Sequence, residues 1–391
     1  MTWPGAGSPS GGGVRGPVGA DGDWFEPRSA LFWVYFLAVL AGPLVFVAQA
    51  AGMIRFGGAQ ALAALPVTAA TLLFFRWVLF ALDPFRARRR LVAPILLGFV
   101  WGASVWPGLA LWANDHVTHA ITNLAGDSFA STWQAAIAAP IDEEFIKAIG
   151  IAVVAVLFRS RLRRPMDGFL IGGFVGLGAQ ISEDVLYSVQ TSLAAPQSPV
   201  ADVLIVAVLR LVTALTSHWS MSALAGVGIV VLLIRTDRSW GWRLGFFALF
   251  YGMAVAMHFI FDSPRPDSLG RLVTFLPVII DLLIFGLAYR WVLGTERKWL
   301  RATISQPVMR TIGTEPQLAS LLTRRSRRRA RAGLRAATRM DRGQARRYER
   351  DLIDRVELLS VSPPPPHPMW NYQQTMPRQP RDTPADSRDQ D

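Results

Sequence analysis

The chain has 391 residues, of which 51% are apolar and only 17% charged, with a formal net charge of +12. That balance, with a positive mean hydropathy, excludes a set of ordinary soluble domains and makes the bilayer the expected solvent. The absence of cysteine excludes a disulfide framework, a thiol nucleophile and a thiolate metal site, so any metal must be held by histidines and carboxylates.

The first 28 residues are rich in Gly, Pro and Ser with mixed charge, and lack a basic segment followed by an apolar one. They read as a disordered tail, not a cleaved signal. A helix needs about 20 apolar residues to cross roughly 30 Å of hydrocarbon, and eight stretches meet that need: 30–53, 58–82, 91–113, 134–158, 166–190, 201–234, 241–262 and 272–294. The expected fold is all-α, a polytopic transmembrane bundle of about eight spans within residues 29–297. The sixth stretch is too long for one straight crossing and must tilt, protrude or break near Thr216 and Ser217.

Arginines cluster in alternate loops: Arg86, Arg88, Arg89 and Arg90, then Arg159, Arg161, Arg163 and Arg164, then Arg235 and Arg238. The opposite loops carry only Arg55, Arg265 and Arg271. By the positive-inside rule both termini are cytoplasmic in a multi-pass inner-membrane protein. Beyond the last span, residues 298–391 form an Arg-rich tail, expected to be largely disordered, with a proline run from Pro363 to Pro366 as a potential partner ligand. The arginines between 324 and 350 invite a nucleic-acid reading, but no aromatics interleave with them as a stacking platform requires. Anionic lipid headgroups are the better partner for a basic helix next to a membrane span.

Charges inside spans are expensive, about 2.5–3.5 kcal/mol each even on the lenient insertion scale. The fourth span reads Asp142-Glu143-Glu144-Phe145-Ile146-Lys147, which places Lys147 one turn after both glutamates. The fifth is glycine rich (Gly168, Gly172, Gly173, Gly176, Gly178), allowing close approach of a neighbour, and then carries Glu183 and Asp184. The sixth contains Arg210 and His218; the seventh ends with His258 and Asp262, which the i, i+4 spacing puts on one face. At 1.5 Å rise per residue, Glu143 and Glu144 lie about 14 Å below the outer end of their span, Glu183 about 10 Å and His258 about 6 Å, whereas His218 comes out deeper. Plainer readings exist: Lys147 as an ordinary helical ion pair, the glutamates as packing groups, and Glu183 bonded to Arg210 as structural glue. Arg76 can snorkel to the interface, while Asp281 in the eighth span belongs to no motif.

The ordered set Glu-Glu-x-x-Lys, a Gly-rich helix ending in Glu, a lone His and then His-x-x-x-Asp resembles the PrsW family of intramembrane proteases, itself distantly similar to the CAAX prenyl proteases. Each motif alone is weak; four in order over residues 134–262, each in its own apolar span, are jointly specific. Asp184 stands where many relatives are expected to carry Asn. The resemblance implies an endopeptidase acting on membrane-anchored proteins, such as anti-sigma-factor-like regulators, near the outer side of the bilayer.

Two chemistries fit these residues. In one, His218 and His258 with Glu183 or Glu143 bind zinc and leave the fourth position for water, Glu144 is the general base, and Asp262 orients His258 or is itself a ligand. In the other, Glu143 or Glu144 takes a proton from water without a metal, aided by a histidine, while His258 and Asp262 stabilise the oxyanion. In both, Lys147 keeps one glutamate ionised. A proton- or ion-coupled transporter would use similar relays but predicts inverted repeats, which the sequence does not display. A noncatalytic scaffold leaves the buried charges unexplained.

Overall fold

The computed structural model describes residues 27–194, 197–265 and 275–360. The expected N-terminal tail up to residue 26, Arg271 and the proline run lie outside the described residues. Two compact units divide the chain, Met1–Lys298 and Trp299–Asp391.

The described residues of the first unit form ten α-helices and no strand: α1 Ala30–Ala61, α2 Leu65–Ala81, α3 Val92–Val100, α4 Trp106–Ala125, α5 Asp127–Leu157, α6 Pro165–Ala194, α7 Pro199–Thr213, α8 His218–Ile234, α9 Trp240–Asp262 and α10 Leu276–Ile304, the last running a few residues past the unit boundary. Among the described residues six stretches are long and apolar enough to cross a membrane: Ala30–Ala81, Val92–Ala125, Pro165–Ala194, Pro199–Ile234, Trp240–Asp262 and Leu276–Ile304. Helix α5 is as long as these but carries Asp142, Glu143, Glu144 and Lys147 in its middle. Counting α5, and α1 and α2 separately, is compatible with eight crossings. Leucines such as Leu37, Leu44, Leu73, Leu283 and Leu287 are exposed, as lipid-facing positions should be.

Several helices outrun the spans drawn from hydropathy. Helices α3 and α4 form one rod joined by a π-helical turn, Trp101–Val105. That turn rotates Trp101 towards α5, where its indole N–H donates to Ile146 O at 3.2 Å. Of the tilt, protrusion or break expected for the long sixth stretch, the structure shows the break: a 3-10 turn, Ala214–Thr216, ends α7, and α8 restarts at His218.

The α6–α8 contact sets the register of the core. A Cβ on Gly168 would run into the carbonyl of Gly226, one on Gly172 into that of Ser222, and one on Gly176 into that of His218. Glycine at every fourth position of α6 therefore lets two antiparallel backbones touch. Glu183 lies seven residues, two turns, beyond Gly176 on the same face, so this register carries its side chain to the start of α8.

The Arg-rich end of the bundle is pinned by specific partners as well as by bulk charge. Asp83 accepts the backbone N–H groups of Ala87 (2.9 Å) and Arg88 (3.1 Å) and pairs with the Arg88 guanidinium. Arg90 pairs with Asp167 at 2.6 Å, and Arg164 with Glu296 at 3.3 Å.

The second unit contains α11 Glu315–Ala319, α12 Arg324–Ala337 and α13 Arg342–Leu359. Its composition suggested a largely disordered tail. Capping boxes at Thr314, Thr323 and Asp341 start these helices, and Leu318, Leu321, Leu352, Ile353 and Val356 are buried.

Candidate active site

The charged residues that hydropathy made conspicuous converge from five helices. On α5, Glu144 and Lys147 are fully buried and Glu143 nearly so. Lys147 Nζ lies 2.7 Å from Glu144 Oε1, 3.6 Å from Glu143 Oε2 and 2.8 Å from His218 Nδ1. The helical pair expected within α5 is present, and it extends to a neighbouring helix.

His218 is the first residue of α8, and its ring is held from both ends. Nε2 lies 2.8 Å from Glu183 Oε2. A carboxylate can only accept, so Nε2 carries the proton and Nδ1 presents a lone pair to Lys147. Glu183 Oε2 also accepts from Arg210 Nη2 of α7, while Arg210 Nε bonds Asp184 Oδ1 at 2.5 Å. The Arg210 guanidinium lies 4.2 Å from the centre of the Tyr187 ring, and Gln180 donates to Asp184 Oδ1 at 3.1 Å. Glu183 therefore bonds to both His218 and Arg210, combining the site and glue readings.

On α9, His258 Nδ1 is 2.9 Å from Glu144 Oε1, and Nε2 is 3.3 Å from Asp262 Oδ2. The two imidazoles meet edge to face with centroids 5.2 Å apart. An unbroken chain of polar contacts thus runs Arg210, Glu183, His218, Lys147, Glu144, His258, Asp262.

These groups border a cavity of about 450 Å³ whose wall includes Glu143, Glu183, Arg210, His218, His258 and Asp262. Glu144 and Lys147 are absent from the wall and lie behind it. The adjacent glutamates are therefore inequivalent. Asn114 of α4 donates to Glu143 Oε1 at 3.1 Å, while Oε2 is buried without a hydrogen-bond partner.

One ligand atom each of Glu143, His218 and His258 fall within 4.8 Å of one another. Two imidazoles and a carboxylate, one oxygen of which lacks a hydrogen bond, are the donor types of a zinc-class cation, which would take His218 Nδ1 from Lys147 and one His258 nitrogen from its carboxylate partner. Glu183, the other expected ligand carboxylate, is engaged by His218 and Arg210.

Asn114 and Trp106 escaped the sequence reading. The third apolar stretch ends at residue 113, one short of Asn114. Trp106 packs on His218 with centroids 5.5 Å apart and receives Lys147 Nζ over its ring at 5.7 Å; only a tryptophan inside an apolar run hinted at it. Asp142 and Asp281 are buried with carboxylate oxygens that lack hydrogen-bond partners and are not part of the cavity wall.

A family model described as PrsW family intramembrane metalloprotease matches residues 92–288, half of the chain. No curated protein and no solved structure matches it.

Proposed function

Because the chain belongs to the PrsW family of intramembrane metalloproteases, we propose that it hydrolyses peptide bonds of membrane-anchored proteins in the cavity bounded by Glu143, His218 and His258. The observation that carries this reading is their convergence inside one cavity of a membrane-embedded bundle. Its substrates are single-span regulators of the anti-sigma-factor kind, cut near the outer side of an inner membrane, with both termini of the enzyme cytoplasmic.

Glu143, His218 and His258 would hold a zinc-class ion, which when bound supplies Lewis acidity to the carbonyl under attack. The protein's own groups do the rest. Glu143 Oε2 is the cavity-facing acceptor with no hydrogen bond to surrender, and it takes up cation or proton. With no cation on Oε2, a water proton passes to the Glu143 carboxylate as the water oxygen bonds to the carbonyl carbon. It is returned to the leaving nitrogen as the C–N bond breaks. In that metal-free case His258, whose two nitrogens face Glu144 and Asp262, carries both protons and sets its positive charge at the cavity wall where the carbonyl oxygen gains charge.

Glu144 is a positioning residue: its Oε1 fixes both Lys147 and His258. Glu183 fixes His218 with Nδ1 turned inward, and Arg210 fixes Glu183.

The test compares wild type with Glu143→Gln and His258→Ala for cleavage of single-span reporter proteins in detergent, with metal content by mass spectrometry. Both variants are expected to be folded and inactive, with bound metal lost in each. Cleavage by Glu143→Gln at the wild-type rate rejects the assignment. Ion-dependent flux by a folded, proteolytically inert wild type replaces it with the transporter.

A further inference from the structure

The second unit holds a cavity of about 600 Å³ between α11, α12 and α13, within the size range of small-ligand sites. Its interior is apolar, with Leu321, Leu334, Leu352, Ala330, Ala337 and Ala345 in the wall. Two arginines of that wall, Arg325 and Arg329, are exposed. They stand four residues apart on α12, so their side chains rise from one face one turn apart. By contrast the partly exposed Arg331 is paired with Glu349, and Arg327 is buried with its Nε donating to Leu321 O at 2.8 Å. The site therefore separates two chemistries, an apolar hole and a pair of exposed guanidiniums beside it.

An anionic amphiphile has that division. Guanidiniums bind phosphate oxygens in paired hydrogen bonds, and the small side chains on α12 leave depth for hydrocarbon. The occupant is argued from the chain's course: α10, an apolar membrane-spanning candidate, leads directly into this unit, so the unit is tethered to the bilayer that contains phospholipid. Nucleic acid would use the arginines but has no use for an apolar hole. We propose that the second unit binds one anionic phospholipid of the surrounding bilayer, its phosphate on Arg325 and Arg329 and an acyl chain in the cavity.

Gly333 makes the proposal testable without touching charge. It lies in the cavity wall, and a Cβ there meets no atom within 4 Å. Gly333→Leu fills the hole while improving a helix position, and Arg325→Gln with Arg329→Gln removes the charge while leaving the hole. The full chain, purified in a neutral detergent, is titrated with phosphatidylglycerol or phosphatidylcholine and read by native mass spectrometry, with amide exchange of α12 and α13 confirming that each variant is folded. Wild type is expected to hold one more phosphatidylglycerol than either variant, with each variant about tenfold or more weaker at that site, and no such preference for phosphatidylcholine. Loss in the arginine variant but not in Gly333→Leu reduces the site to surface charge and overturns the proposal. So does equal protection of α12 by inorganic phosphate, or arginine-dependent binding of a 20-nucleotide RNA without a lipid adduct.

Discussion

Replacing Arg210 by Met should damage the protein twice, in stability and in the site. Arg210 is the cationic partner of two adjacent carboxylates, Glu183 and Asp184, whose side chains are 17% and 6% exposed. Its loss leaves two like charges side by side in a low-dielectric region, with His218 and Gln180 as their remaining partners among the contacts described. Removing one partner from a buried ion pair costs about 3–5 kcal/mol, and partial access of Glu183 to the cavity argues for the lower end. The second effect travels through Glu183. Without the guanidinium, Glu183 Oε2 no longer has a fixed position from which to hold His218 Nε2, and loss of such an orienting contact typically costs 10–100-fold in metal affinity or activity.

The assay is a denaturant-unfolding series in detergent, paired with reporter cleavage and metal content. Arg210→Met should lose roughly 3 kcal/mol. The triple variant Arg210→Met, Glu183→Gln, Asp184→Asn should recover much of that stability, because removing both signs together relieves the unpaired charge, yet it should not recover cleavage. An Arg210→Met protein that unfolds with wild type and keeps full activity refutes the chain of contacts from α7 to His218. Recovery of cleavage in the triple variant would show that His218 does not depend on Glu183.

Two shorter predictions concern packing and pH. Gly172→Leu should destabilise the first unit by about 1–3 kcal/mol or prevent its folding, because the new side chain meets the Ser222 carbonyl of α8; unfolding in detergent reads this. Hydrogen bonding from the Gln344 backbone N–H holds the Asp341 carboxyl below its usual value. The unfolded chain therefore takes up that proton first as pH falls. The cap at the start of α13 should be complete above about pH 4 and lost only as pH drops through the lower folded value, seen as faster amide exchange in the first turn of α13.

The residues most legible in the sequence were those whose presence was energetically costly. Glu143, Glu144, Lys147, Glu183, His218, His258 and Asp262 stood out because polar groups inside apolar spans need a reason, and the structure brings all seven together. Length alone left tilt, protrusion or a break near Thr216 and Ser217 open for the sixth stretch, and the break is what the structure shows. Depth arithmetic failed for His218 because it counted from the start of the stretch, whereas the chain restarts there and makes His218 the first residue of α8. Bilayer thickness also set the drawn ends of spans too short. Helix α4 continues to Ala125 and α5 begins at Asp127, so Asn114 lies on a helix but one residue beyond the apolar stretch that hydropathy defines. Partners across helices were the hardest to read, since only the Gly168, Gly172, Gly176 register tells which turn of α6 faces His218.

The spacing Glu-Glu-x-x-Lys has a geometric reason that can be broken on purpose. Consecutive residues on a helix point about 100° apart, so Glu143 reaches Asn114 and the cavity while Glu144 reaches His258 on α9. Lys147, four and three residues on, returns over both, and one ammonium spans them at 3.6 and 2.7 Å while touching His218. Exchanging Lys147 with its neighbour, as Lys147→Ala with Ala148→Lys, conserves composition and net charge but swings the cation about 100° away. The buried glutamates then lose their only lysine, and cleavage should fall with them. Arginine at position 147 keeps the sign and direction of the charge but substitutes a planar fork for a compact ammonium, so Lys147→Arg should retain stability better than the exchange does. Equal cleavage by the exchanged variant and wild type would mean that α5 needs a positive charge nearby and no particular placement, and the reading of Lys147 as the joint between Glu144 and His218 would be wrong.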